Sequence, residues 1–217
     1  RRAVLTLLAT PALAVVAGAG WFRSQSGRNP YYSGPVSDHF DGLKFFNPGR
    51  NVDKSASELA RFLIGTPRAD WPETWPSPFP RDKPPAEVRD GLRVTLIGHA
   101  SYLFQTGGVN ILCDPVFSER ASPFRFAGPK RVNAPGIAFD DLPKIHAVLV
   151  SHNHYDHMDT ATLARLVKRD NPRVIAPLGN DTILKAAIPD IAVETHDWGD
   201  RVEFAPDVVV TLVATGD

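Results

Sequence analysis

Only one cysteine, Cys113, occurs in the 217 residues, so no intramolecular disulfide can form and a disulfide-stapled scaffold is excluded. No sign of charge prevails either. The 24 basic and 24 acidic side chains cancel, which removes the usual reason to expect nucleic acid or a strongly charged partner. There is no serine in a nucleophile elbow, no glycine-rich phosphate loop and no internal repeat. What the chain does have is an ordinary 43% of hydrophobic residues, enough for one domain of moderate size with an appended arm. It also has 20 prolines, most of them between Pro30 and Pro143, where long stretches should be extended or looped.

The chain begins at Arg1 without an initiator methionine, and further residues are expected ahead of it. Residues 1–22, "RRAVLTLLATPALAVVAGAGWF", open with two arginines and continue without charge. Their length is borderline for a membrane span, and Pro11 with the many small residues weakens one. A positive start, an apolar middle and small residues at 12–14 or 17–19 suit an export signal or membrane anchor. The arginine pair resembles a twin-arginine signal, although Val4 stands where phenylalanine is commoner. The protein is therefore expected to be exported, periplasmic or membrane-associated.

Residues 23–90 read as a proline- and aromatic-rich arm laid across another surface, because "WPETWPSPFP" needs burial but has no periodicity. Within it, "SASELARFLIG" carries a serine at an N-cap and apolar residues at helical spacing. From residue 91 onwards the texture changes. "LRVTLIGH", "SYLFQT" and "VNILCDPV" are strands, with Gly107-Gly108 as a hairpin turn between the last two. "KIHAVLVSH" is apolar enough for a strand buried on both faces. Helices at "DTATLARLVKRD" and "NDTILKAAI" then alternate with strands at "RVIAPL", "AVETHDW", "RVEFAP" and "VVVTLVAT". Early strand pairing followed by alternation predicts an α/β sandwich over 91–217.

The chemistry lies in "VLVSHNHYDHMD", residues 148–159. His152 and His154 are two apart, so on extended chain they point the same way and can share one borderline-soft ion such as zinc. Asp156 and His157 follow a turn and can reach a second ion close by. These residue types match a two-metal hydrolytic centre better than any catalytic triad. Directly after a buried strand, the full His-x-His-x-Asp-His pattern is specific, where a lone His-x-His is not.

This cluster resembles the first metal motif of the metallo-β-lactamase fold superfamily. Within that superfamily the chain resembles the N-acylphosphatidylethanolamine-hydrolysing phospholipase D family. The resemblance rests on "HFDGLKFFNPG" (39–49), "TLIGHASYLFQTGGVNILCDPVFSERASPFRFAGPKR" (95–131), "LPKIHAVLVSHNHYDHMD" (142–159) and "APLGN" (176–180). It implies an αββα sandwich, here without its C-terminal part. It also implies two zinc ions, the first on His152 and His154, the second on Asp156 and His157, with Asp156 counted as catalytic. The family's later histidine, bridging aspartate and final histidine are expected beyond Asp217. His196, which precedes the last strand, does not match them.

The implied activity is cleavage of N-acylphosphatidylethanolamine-like lipids by a hydroxide held between the metals, with a small-molecule or lipid substrate, a membrane surface as partner and no nucleic acid. The alternatives are a lactonase or sugar-phosphate lactone hydrolase of the same superfamily, or a non-catalytic piece lacking the later ligands.

Other residues have two readings each. His99 ends the first core strand, either as a polar group beside the metal cleft or as a hydrogen-bonded strand end. Asp114, in "CDPV", is by resemblance the aspartate that supports the metal loop and orients a histidine, and otherwise a plain Asp-Pro turn. Asp159 suits a helix cap. Arg120, Arg125, Lys130 and Arg131 surround Phe124 and Phe126. Of these, Arg125, Lys130 and Arg131 are candidates for phosphate contact, with a solvated loop as the rival. Cys113 follows the apolar pair Ile111 and Leu112 and reads as a core thiol.

Overall fold

The structure, a computed structural model, describes residues 29–49, 55–65, 70, 72–124 and 126–214. Residues 1–22, the expected signal or anchor, lie outside the described residues, as does Arg125. Among the described residues no helix is long and apolar enough to cross a membrane. The chain divides into two compact units, Arg1–Asp53 and Lys54–Asp217.

In the first unit, "HFDGLKFF" folds back on itself through isolated bridges from Phe40 to Ser37 and Phe45. Asp41 Oδ1 accepts from the amides of Leu43 and Lys44, and those backbone donors hold its carboxyl below the ordinary range. The rings of Tyr32 and Phe45 lie 5.0 and 4.5 Å from that of buried Phe40.

The second unit opens with helix α1 (Ala56–Gly65). It starts at a reciprocal capping box: Glu58 N donates to Ser55 Oγ, and Ser55 N donates to Glu58 Oε2 at 2.8 Å. The segment after it is held by its backbone. Trp75 N donates to the carbonyl of Val132 and Asp82 N to that of Gly136, while Gln105 and Asn110 donate to Pro85 O and Ala86 O. Trp75 and Phe79 are exposed, so the burial that the aromatics predict is not what anchors this stretch.

Among the described residues eight strands follow: β1 (Leu92–Gly98), β2 (Ser101–Thr106), β3 (Val109–Cys113), β4 (Ala147–Leu149), β5 (Arg173–Pro177), β6 (Val193–His196), β7 (Arg201–Ala205) and β8 (Val208–Thr211). The first six form one sheet in chain order, antiparallel through β3 and parallel from β3 to β6. Gly107 and Gly108 both have positive φ, the conformation a tight right-twisted hairpin demands.

Helices α2 (Thr160–Asp170) and α3 (Asn180–Ala187) make the two later crossovers and pack on one face. There Leu163, Leu166 and Leu184 join Leu103, Leu112, Val148 and Val174 in the main core. The β7–β8 hairpin packs its Val208 and Phe204 against Ile111 and Ala147 on the opposite face. Strand β4 therefore sits between two apolar layers, as its unbroken "AVLV" requires. The result is a layered α/β domain, as the sequence predicts.

Candidate metal centre

Strand polarity gathers the site. Strands β1, β3 and β4 all run the same way, since β2 reverses the chain twice. Their carboxyl ends therefore meet at one edge of the sheet, where α/β folds bind ligands. That edge carries His99 after β1, Asp114 after β3 and Ser151 to His157 after β4.

Asp114 is the organiser. Its carboxylate is buried, and it accepts from Ser151 N at 2.7 Å, Ser151 Oγ at 2.6 Å and His157 Nδ1 at 2.9 Å. Its backbone is left-handed, with φ 42°, and Asp114 N donates to Leu149 O while buried Ser101 Oγ donates to its carbonyl. Because the carboxylate accepts from Nδ1, Nε2 is the His157 nitrogen left to face Asp156, 3.7 Å from its Oδ2. Metal-ligating histidines are commonly set this way.

The four residues of the motif come together. His152 Nε2 and His154 Nδ1 are 3.1 Å apart, and the His152 and His157 rings are 4.0 Å apart. His157 Nε2 is 3.7 Å from Asp156 Oδ2. Burial, and then the neighbouring His157 and His154, hold the His152 imidazole below its ordinary range. That keeps it neutral, the form a metal requires. For Asp156, burial works to raise the carboxyl. Its own backbone hydrogen bond and the adjacent His157 and His99 outweigh that and hold it low, so it stays ionised.

His99 lies beside them. Its Nε2 is 2.9 Å from Asp156 Oδ2, and its ring meets that of His157 edge-on. Imidazole nitrogens and an ionised carboxylate at these separations are donors of the type a divalent ion takes, and His152, His154, Asp156 and His157 are the residues that would hold one.

Around the centre, Asp159 caps α2 by accepting from Ala161 N and Thr162 N. It also accepts from Phe117 N, Ser118 N and Ser118 Oγ, so it ties the loop after β3 to the metal motif. The cap is legible in the sequence, whereas the second set of donors comes from a loop more than 40 residues away. Ser151 was also invisible: a small polar residue between strand and motif is its only signal.

Arg131 donates from Nη2 to Val116 O at 2.6 Å and lies half-buried beside Gly98, which lowers its pKa through desolvation. Lys130 is exposed and pairs with Glu119 at 3.2 Å. The rings of Phe124 and Phe126, both exposed in the same loop, lie 5.6 Å apart and tilted at 37°. Burial pushes the Cys113 thiol up to about 12, so it is no nucleophile. His196 ends β6, facing Glu194 and Asp200.

Comparison with known proteins agrees with this geometry. A family model described as the beta-lactamase superfamily domain matches residues 109–216. An uncharacterized protein of Mycobacterium tuberculosis is 30% identical over 94% of this chain and 54% of its own length. The N-acyl-phosphatidylethanolamine-hydrolyzing phospholipase D 1 of Caenorhabditis elegans is 38% identical over 52% of this chain and 33% of that protein. A metal-dependent hydrolase of Anaeromyxobacter sp. (strain K) is 33% identical over 60% of this chain and 44% of that protein. The chain thus spans about half the length of the relatives it matches, or less. From β3 onwards its strands, helices and histidine motif are those of a β-lactamase superfamily domain, and the chain belongs to that superfamily.

Proposed function

We propose that the chain is part of a metal-dependent hydrolase, and that the bond it cleaves is a phosphodiester of N-acylated phosphatidylethanolamine, in the manner of a phospholipase D. The observation that carries the hydrolase reading is the gathering of three imidazoles and one carboxylate at the end of β4, with Asp114 leaving His157 Nε2 to face Asp156. Similarity to the C. elegans phospholipase D supports the choice of bond.

On this reading His152 and His154 hold one zinc ion, and Asp156 and His157 the other. When bound, such ions supply a nucleophile near neutral pH and offset charge on the phosphoryl oxygens. The chain's own residues prepare for this. Asp114 and Ser151 fix the His157 ring, the lowered pKa of His152 keeps it free of a proton, and the ionised Asp156 offers an anionic oxygen between two imidazoles. Arg125, Lys130 and Arg131 are the loop's cations for a phosphate, and an exported protein would meet its lipid at a membrane surface.

The test is turnover by the full-length, zinc-loaded protein on N-acylphosphatidylethanolamine vesicles and on a lactone panel, with and without chelator. Release of N-acylethanolamine and phosphatidic acid that chelation abolishes is the expected result. Turnover of lactones alone would move the assignment to a lactonase. A zinc-loaded protein that cleaves neither overturns the hydrolase reading.

A further inference from the structure

We propose that His99 is itself a metal donor, completing a set with Asp156 and His157. The inference rests on the metal-centre reading above and adds a residue from a different strand to it. Three observations carry it. First, one ligand atom each from His99, Asp156 and His157 lie within 4.8 Å of one another. Two ligands on one tetrahedral ion, at bonds of roughly 2.0–2.1 Å, sit about 3.3 Å apart. The His99 Nε2 to Asp156 Oδ2 distance of 2.9 Å and the His157 Nε2 to Asp156 Oδ2 distance of 3.7 Å straddle that value.

Second, the backbone is arranged to place this ring. Register slips between Leu96 and Gly98, and Gly98 pairs with Ser101 across a two-residue turn. Bulges of this kind re-aim a side chain at a sheet's edge. His99 occupies that turn with φ 52°, a left-handed conformation that costs a non-glycine residue energy and is kept where surrounding structure enforces it. Gly136 N, donating to Ile97 O at 2.7 Å, and the Arg131 guanidinium beside Gly98 are the enforcing contacts. Third, the ring is exposed rather than packed, so core filling does not account for it.

The test compares zinc affinity of the wild-type chain with that of His99→Asn and His157→Ala, by calorimetry, with near-ultraviolet circular dichroism as the check on folding. Asparagine tolerates the left-handed backbone but cannot extend to the same donor position. Zinc binding at least about tenfold weaker in His99→Asn supports the proposal. Affinity unchanged in His99→Asn but weakened in His157→Ala overturns the role of His99 and leaves the centre standing. Affinity unchanged in both overturns the centre.

A second readout needs no variant. Two-bond proton–nitrogen spectra of the wild-type imidazoles, recorded through a zinc titration, should move His99 Nε2 to the metal-bound range. If it does not move, His99 acts through Asp156 rather than on the ion, and the proposal fails.

Discussion

Replacing Asp114 with asparagine tests the logic of the site most directly, because the side-chain volume hardly changes and asparagine accepts the left-handed backbone at φ 42°. The carboxylate now accepts from three donors while nearly fully buried. Asparagine has one acceptor oxygen and an amide that donates. If the oxygen keeps Ser151 N, the amide faces Ser151 Oγ and His157 Nδ1. The hydroxyl can rotate to accept. His157 can accept only by moving its proton to Nε2, which blocks the nitrogen that faces the other ligands.

Charged hydrogen bonds contribute about 1.5–3 kcal/mol each. Weakening three and replacing part of them should cost about 2–4 kcal/mol of stability in metal-free protein, read by urea unfolding. Zinc affinity should fall about 10–100-fold, the range for losing a partner that orients a ligand. A variant that binds zinc within twofold of wild type would refute the claim that Asp114 sets the His157 tautomer.

Further outcomes are expected elsewhere. Arg93 donates twice to Asp82, which lowers the Asp82 carboxyl from its ordinary 3.8 against the opposing effect of burial. A depressed folded-state pKa gives stability that is present above the unfolded value and lost as pH falls through the folded one. The stability gap between wild type and Asp82→Asn should therefore be full above pH about 5 and shrink below it, and a gap constant down to pH about 2 would contradict this. A Cβ at Gly136 would run into the carbonyl of Leu96, so Gly136→Ala should destabilise by about 2–4 kcal/mol in urea unfolding. Cys113 should react with iodoacetamide far more slowly in folded than in urea-unfolded protein, followed by mass spectrometry.

Much of this molecule follows from local pattern. The period of two in "SYLFQT", the paired glycines at 107–108 and the unbroken apolar "AVLV" dictate strands, a hairpin and a doubly buried strand whatever surrounds them. The Ser55–Glu58 box and the Asp159 cap likewise need only neighbours three residues away. The motif of His152, His154, Asp156 and His157 is equally local, since a strand end and one turn suffice to bring its four side chains together.

What sequence could not supply was every partner drawn from another strand. Asp114 and His99 are 38 and 53 residues before His152, and each had a bland reading beside its functional one. Only the direction of β1 and β3 in the sheet, set by pairings across the domain, carries their side chains to the same edge as the motif. The fate of the aromatics at 75–79 was decided in the same way. Apolar content predicts burial, but the backbone hydrogen bonds of Trp75 and Asp82 to residues 132 and 136 hold the segment with its rings outward. Local sequence determined the elements and the ligand motif, because those depend on near neighbours. Tertiary structure decided which distant residues support and extend the centre, because that depends on where strands end in space.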